Sequence, residues 1–173
     1  MTVVIDTNVI LVANGQHQEA SPACVEACVE RLNGIVQVGR VAIDDAHRIL
    51  NEYQNKTEPY AGKRVGDVFL KWLLRNNTNP QRCDQVQIVE HAGRGFESFP
   101  DDVRLANFDA SDRKFVAVAG AHGDTPPILQ ATDSKWLAWN DGLAAHGVKV
   151  EFLCPTDISR YASNKNKGKG QRR

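Results

Sequence analysis

Four acidic residues stand at or shortly after points where an apolar run gives way to a predicted helix. They are Asp6, Glu52, Asp112 and Asp133. Asp6 ends the run VVI, Asp133 ends the run PILQAT, and Asp112 and Glu52 lie on two other predicted helices. In a parallel α/β sheet the helices begin at the carboxyl ends of the strands, and ligands bind at that edge. The pattern therefore predicts that four carboxylates far apart in the sequence meet at one edge.

Such a cluster of acids needs a positive partner. Two carboxylates about 4 Å apart repel each other by about 4 kcal/mol at an effective dielectric constant of 20. A hard divalent cation removes this cost, because Mg²⁺ and Mn²⁺ prefer carboxylate and water oxygens as ligands. One or two such ions can activate a water molecule and stabilise the leaving oxygen of a phosphodiester. The acids therefore favour metal-dependent hydrolysis of a phosphate ester.

Each acid also has a simpler structural interpretation. Asp6 and Asp133 could each accept backbone N–H bonds at the start of the next helix, because Asp is a common N-cap residue. Glu52 could be a solvated helix residue that pairs with Arg48 four positions earlier. Asp112 could cap its own helix. These interpretations explain each acid separately, but they do not explain why all four fall at one edge.

The elements that position the acids alternate between strand and helix. Strands are predicted at 3–5, within 35–43, and at 86–90, 127–132 and 148–153. Helices are predicted at 7–14, 22–33, from 44 onward, and at 63–77, 111–122 and 134–146. The Ser21-Pro22 pair is a typical helix start, and the segment 91–109 is predicted to be irregular. Short apolar strands separated by helices predict an α/β fold with a parallel sheet covered on both faces.

Length and composition indicate one domain. The chain has 173 residues, of which 42% are hydrophobic, and single domains commonly have about 100–200 residues. No apolar run approaches a membrane span, and the N-terminus lacks the basic leader of a signal peptide, so a cytoplasmic location is expected.

The formal net charge is zero, but the segment NKNKGKGQRR carries five positive charges and no acid. The domain is predicted at 1–155, followed by a basic, disordered tail at 156–173 that either touches RNA or only aids solubility.

The four cysteines lack the paired spacing of a zinc site. They are Cys24, Cys28, Cys83 and Cys154. Cys24 and Cys28 are predicted to share one helix face, which leaves a metal-binding pair as an alternative. Buried, reduced thiols are the favoured interpretation.

Four segments resemble the motifs of PIN-domain nucleases and occur in that family's order. They are VVIDTNVIL at 3–11, IDDAHRILNEY at 43–53, SDRKFVAVA at 111–119 and ATDSKWL at 131–137. The resemblance covers most of residues 2–154, and the region 76–107 matches poorly. It implies a three-layer α/β/α fold with a central, mainly parallel sheet, and cleavage of RNA with Mg²⁺ or Mn²⁺.

The resemblance also implies roles for individual residues. Asp6, Glu52, Asp112 and Asp133 would be the catalytic and metal-binding acids. The expected substrate contacts are Thr7, Asn8, Ser134 and Lys135, and Thr7 and Asn8 would either orient Asp6 or bind the substrate phosphate. The family mechanism implies in-line attack by a metal-bound water that leaves a 5′-phosphate and a 3′-hydroxyl.

The chain departs from the family pattern at one acidic position. Many members carry a further acid two residues after the fourth, where this chain has Lys135. This difference argues against a second tightly held metal ion, although Lys135 could contact a phosphate. Asp44 and Asp109 are nearby acids that could substitute as ligands, and they rank below the main four.

Several functional alternatives stay open at this point. The chain could be the toxin of a toxin–antitoxin pair, with an antitoxin protein as partner, or a stand-alone RNA-processing enzyme, and a homodimer is expected from the resemblance. A non-catalytic RNA-binding protein is a second class, although a surface that binds phosphate does not need clustered acids. A phosphatase that uses Asp6 as nucleophile is disfavoured, because Asn8 occupies the position where such enzymes carry a second acid.

Overall fold

The computed structural model describes the backbone of residues 1–170 and the side chains of residues 1–163. Its seven strands are β1 (Thr2–Ile5), β2 (Arg40–Asp44), β3 (Cys83–Val86), β4 (Glu90–His91), β5 (Gly95–Phe96), β6 (Ile128–Gln130) and β7 (Val150–Phe152). Five of them form a parallel sheet in the order β3-β2-β1-β6-β7, whereas β4 and β5 pair as an antiparallel ribbon. The predicted parallel sheet is confirmed.

Helices cover both faces of the sheet. They are α1 (Thr7–Ala13), α2 (Pro22–Val38), α3 (Arg48–Lys56), α4 (Val65–Asn76), α5 (Arg113–Ala121), α6 (Lys135–Ala144) and α7 (Pro155–Gly170). Val3, Val4 and Ile5 of β1 are all buried, as a strand covered on both faces requires. Helices α1, α2 and α4 pack against one another, and α5 packs against β1, β2 and β6. The chain therefore has the predicted three-layer α/β/α architecture.

The helix starts follow the capping signals in the sequence, but several boundaries differ from the prediction. The Ser21 hydroxyl accepts a hydrogen bond from Cys24 N at 3.2 Å, with Pro22 as the first helical residue. Helix α2 continues to Val38 instead of ending near Asn33, because its later turns still bury Ile35. Strand β3 ends at the residue where a strand was predicted to begin, since its pairing with β2 sets its position.

The segment predicted to be irregular, 91–109, contains the end of the β4–β5 ribbon and a 3-10 helix at Val103–Leu105. Its aromatic residues anchor it to the domain. The ring of Phe108 lies 5.1 Å from the ring of Trp136 and 4.3 Å from that of Trp139, measured between centroids. This long-range packing fixes the path of the chain next to Asp109 and Asp112, which precede α5.

The prediction of a disordered tail at 156–173 is wrong for the first residues of that segment. Residues predicted to form a disordered tail from 156 onward continue as helix α7, whose start packs on the domain. Ile158 is buried, and the buried carboxylate of Asp157 accepts a hydrogen bond from Ser21 N at 2.7 Å. Composition did not indicate these contacts, because the segment is polar overall whereas Asp157 and Ile158 are individually buried. The prediction for residues 171–173 lies outside the described residues.

The prediction of reduced thiols is also wrong for two of the four cysteines. Cys24 in α2 and Cys154 at the start of α7 form a disulfide across a sequence separation of 130 residues. Cys28 and Cys83 are free and buried, and the Cys28 sulfur lies 4.0 Å from that of Cys154. Spacing along the chain could not reveal this pairing, because the fold alone brings Cys154 beside α2.

The topology creates a crevice at the carboxyl edge of the sheet. The chain builds outward from β1 through β2 to β3, and then returns to add β6 and β7 on the other side of β1. Such a reversal between neighbouring strands leaves a crevice beyond their carboxyl ends. Asp6 follows β1 and Asp133 lies shortly after β6, so both acids lie at this crevice. None of the helices in the described part of the chain combines the length and apolar character needed to cross a bilayer.

Candidate functional site

Asp6 is the most deeply buried acid of the predicted cluster. It caps α1, and its Oδ1 accepts a hydrogen bond from Asn8 N at 2.8 Å. No donor to Oδ2 occurs among the described residues. Burial and the charges of Asp112, Glu52 and Asp133 together raise the pKa of Asp6 to about 8, against the opposing hydrogen bond from Asn8. Asp6 therefore caps α1 and is also influenced by the charges of the other three acids.

Asp112 and Asp133 approach the crevice from two helix starts. Asp133 Oδ1 accepts a hydrogen bond from Lys135 N at 3.0 Å, as the capping interpretation predicts. Asp112 precedes α5 but makes no capping bond; Ser111 Oγ donates to its Oδ1 at 3.1 Å. Burial raises the pKa of Asp112, as do the charges of Asp133 and Glu52, while Ser111 and Lys114 oppose the shift.

Of the two acids that the sequence ranked lower, Asp109 joins the site and Asp44 does not. Carboxylate oxygens of Asp109, Asp112 and Asp133 all lie within 4.8 Å of one another. Asp44 is fully buried, and its two oxygens accept hydrogen bonds from the backbone N–H groups of Arg48 and Ile49, each at 2.8 Å. Asp44 therefore serves as a structural cap of α3, whereas Asp109 is a further candidate ligand.

Glu52 reaches the edge of the cluster from α3. Its Oε1 accepts a hydrogen bond from Thr7 Oγ1 at 2.5 Å. The Tyr53 hydroxyl donates to the Ile5 carbonyl and pins α3 against the end of β1, which places Glu52 near Asp6. The proposed pairing of Glu52 with Arg48 is absent among the described contacts, since Arg48 instead contacts Asp44 and Glu90. Thr7 thus orients Glu52 and not Asp6.

Lys114 is a functional candidate that the sequence prediction missed. Its Nζ lies 2.5 Å from Glu52 Oε2 and donates to the Ser111 carbonyl, and only 8% of the residue is exposed. A signal was present in the sequence: positions three and four residues later are Ala117 and Val118, so Lys114 heads a buried apolar row of α5. A lysine at the head of such a row is rarely buried without an acidic partner.

Some of the four predicted substrate-contact residues are buried or bonded to other parts of the chain, and others are exposed to solvent. Asn8 Oδ1 accepts hydrogen bonds from Thr132 N at 2.7 Å and Thr132 Oγ1 at 2.9 Å, which ties together the loops after β1 and β6. Ser134 is buried at the start of α6 but makes no capping bond. Lys135 is exposed, and its Nζ lies 2.6 Å from Asp109 Oδ2.

The donor set fits a hard divalent cation. All the grouped atoms are carboxylate oxygens, and neither sulfur nor imidazole belongs to the acidic group found among the described residues. Lysines already face Glu52 and Asp109. Among the described side chains, the acids of this site that have no cationic partner are therefore Asp6, Asp112 and Asp133.

Comparisons of the chain with models of protein families, with curated proteins and with solved structures found no match. The relation to PIN-domain nucleases thus rests on the four sequence motifs alone.

Proposed function

We propose that this chain is a metal-dependent ribonuclease that hydrolyses phosphodiester bonds of RNA at the carboxyl edge of its sheet. The proposal depends on the environment of the Asp6 carboxyl group. Its carboxyl is buried, its Oδ2 receives no hydrogen bond from the described residues, and the charges of three further acids raise its pKa. A purely structural cap does not need three acidic neighbours at a topological switch point.

The distribution of lysines supports one firmly held ion. Asp6, Asp112 and Asp133 would hold Mg²⁺ or Mn²⁺: Asp112 and Asp133 belong, with Asp109, to the group whose carboxylate oxygens lie within 4.8 Å of one another, and the charges of Asp112 and Asp133 act on Asp6. When bound, the ion would supply the Lewis acidity that activates a water molecule and neutralises charge on the phosphate. The ammonium group of Lys114 occupies the Glu52 side, where a second ion would otherwise be needed.

The remaining side chains bind and orient the substrate. Lys135 is exposed beside Asp109, and the hydrogen bond to Asp109 raises its pKa, so it stays charged at neutral pH and can attract the RNA backbone. Lys114 is held by Glu52 and the Ser111 carbonyl, which fixes a positive charge at the edge of the acidic group. Asn8 and Thr132 lock the two loops of the crevice together, so the acids keep their spacing.

The proposal is tested with purified protein and end-labelled single-stranded RNA. We expect cleavage with Mn²⁺ or Mg²⁺, none with EDTA, and loss of cleavage in Asp6→Asn and Asp112→Asn. Asp45→Asn is the matched control, because Asp45 is an exposed acid at the end of β2 that lies outside the acidic group. Cleavage that persists in EDTA, or full activity of both variants, would overturn the proposal. RNA binding without any cleavage would favour the non-catalytic RNA-binding alternative.

The partners follow from the same proposal. RNA is the substrate, and a homodimer and an antitoxin protein are the further expectations that the motif resemblance carries. A small gene directly upstream that encodes a DNA-binding protein would favour the toxin role over a stand-alone enzyme.

A further inference from the structure

A cavity of about 430 Å³ adjoins the acidic group on the side of Asp133. Asn8, Thr132, Asp133 and Ser134 line it from the crevice. Ligand-binding cavities in proteins commonly measure about 300–1,000 Å³. The cavity is therefore large enough for part of a nucleotide and shares one acid with the proposed site.

Two rings line the cavity from other parts of the chain. His17 follows α1 and Tyr161 lies in α7; their ring centroids are 6.0 Å apart with an interplanar angle of 41°. The Tyr161 hydroxyl donates to the Glu19 carbonyl, and Arg160 Nη2 donates to the same oxygen at 2.9 Å. These bonds hold α7 against the loop after α1, so the tyrosine ring keeps a fixed place at the cavity.

Polar atoms with unused bonding capacity complete the lining. His17 Nδ1 has no hydrogen-bond partner among the described residues, but it is shielded from solvent and so does not face the cavity. Buried polar atoms without partners are uncommon in folded proteins, because the loss of hydration costs free energy. The Ser134 hydroxyl makes no capping bond, and the amide of Asn8 uses its oxygen for Thr132. A cavity with aromatic rings and free hydrogen-bonding groups matches the way in which single-stranded RNA bases are bound.

We infer that this cavity binds the base of a nucleotide next to the cleaved phosphate, with Tyr161 as the stacking residue. The inference rests on the proposed ribonuclease function and names its substrate as an unpaired nucleotide. A base that enters the cavity places its ribose and phosphate beside Asp133, and hence beside the acidic group. Stacking tolerates any base, since every base has a π-face.

Tyr161 variants of the full chain test the inference. Anisotropy measures the binding of a fluorescent single-stranded RNA in EDTA, and labelled RNA with Mn²⁺ gives KM and kcat. Tyr161→Leu removes the ring, and we expect binding about tenfold weaker or more, with a raised KM. Tyr161→Phe keeps the ring but loses the hydroxyl bond to the Glu19 carbonyl, which Arg160 still contacts, so it should bind more tightly than Tyr161→Leu. Tyr60→Leu is the matched control, because Tyr60 is an exposed tyrosine outside the cavity lining.

A direct readout keeps the test decisive if Tyr161→Leu does not fold. Nucleoside 5′-monophosphates should shift the NMR signals of the His17 ring in the wild-type chain, whereas ribose 5-phosphate, which lacks a base, should not. Equal shifts with both compounds, or RNA binding by folded Tyr161→Leu equal to the wild type, would overturn the inference. Absence of cleavage by the wild-type chain would instead overturn the proposed function, so the two failures are distinguishable.

Discussion

Lys114 Nζ lies 2.5 Å from Oε2 of Glu52, so the acidic edge of the sheet carries its own cation. Lys114 is only two residues from Asp112, and its positive charge opposes the rise in the pKa of that acid that burial causes. The pair divides the site into a half neutralised by lysine and a half, around Asp6, that lacks a cation among the described side chains. This division is the physical basis for expecting one tightly bound metal ion and not two.

Replacing Lys114 should change both the rate of RNA cleavage and the number of metal ions that the protein binds. Lys114→Met removes a fixed positive charge that would stabilise the substrate phosphate. Loss of one such stabilising group typically lowers kcat by about a hundredfold. The freed Glu52 carboxylate should then bind a second Mn²⁺, measurable by isothermal titration calorimetry. Lys114→Arg keeps the charge and should retain one site. If Lys114→Met binds the same number of ions and cleaves RNA at the wild-type rate, the ion pair has no role in the site.

Replacing Asp44 or Asp6, two acids at the same sheet edge, by asparagine should change the stability of the metal-free protein in different directions. Asp44→Asn loses one acceptor for the first backbone N–H groups of α3, and loss of a helix cap costs about 1–2 kcal/mol. Asp6→Asn keeps the Oδ1 acceptor for Asn8 N and removes a carboxyl that is costly to ionise. We therefore expect metal-free Asp44→Asn to unfold at lower urea than the wild type, and Asp6→Asn to be equally or more stable at pH 8. Stabilisation by Mn²⁺ should survive in Asp44→Asn and disappear in Asp6→Asn.

The sequence was sufficient to predict the parallel sheet and the position of Asp6, Asp112 and Asp133 at one edge of it, because strand ends and helix starts are short-range signals. An apolar run that ends in Asp6 marks a strand end, and a helix start places Asp112 at the same edge. The sequence ranked Asp109 below the main four acids, because its place depends on Phe108, which packs on Trp136 and Trp139 far away in the sequence. Long-range contacts of this kind leave no local pattern.

The metal-free protein should lose stability as the pH rises. The pKa of Asp6 is about 8 in the folded chain, whereas an unperturbed Asp has a pKa of about 3.9. Between these values the unfolded chain has released a proton that the folded chain keeps, so the stabilisation is complete below pH ~4 and is lost as the pH approaches 8. One such group changes the free energy of unfolding by about 1.4 kcal/mol per pH unit.

Urea unfolding in EDTA at pH 5 to 9 measures this loss. Asp6→Asn should flatten the profile, since the titrating group is gone, and Asp45→Asn should leave it unchanged. Added Mn²⁺ should stabilise the wild type more at pH 8 than at pH 5, because a metal ion competes with the proton for the carboxylate. A wild-type profile in EDTA as flat as that of Asp6→Asn would contradict the assigned pKa.

Reduction of the Cys24–Cys154 disulfide should loosen α7 and with it the wall of the cavity. The bond joins α2 to the start of α7 across 130 residues, and native disulfides commonly contribute about 2–4 kcal/mol. We expect dithiothreitol or Cys154→Ser to lower the melting temperature and to weaken RNA binding, because Tyr161 follows in the same helix. Cys83→Ser is the control, since Cys83 is a free buried thiol in β3. A Cys154→Ser chain that binds RNA like the wild type would show that α7 keeps its place without the disulfide.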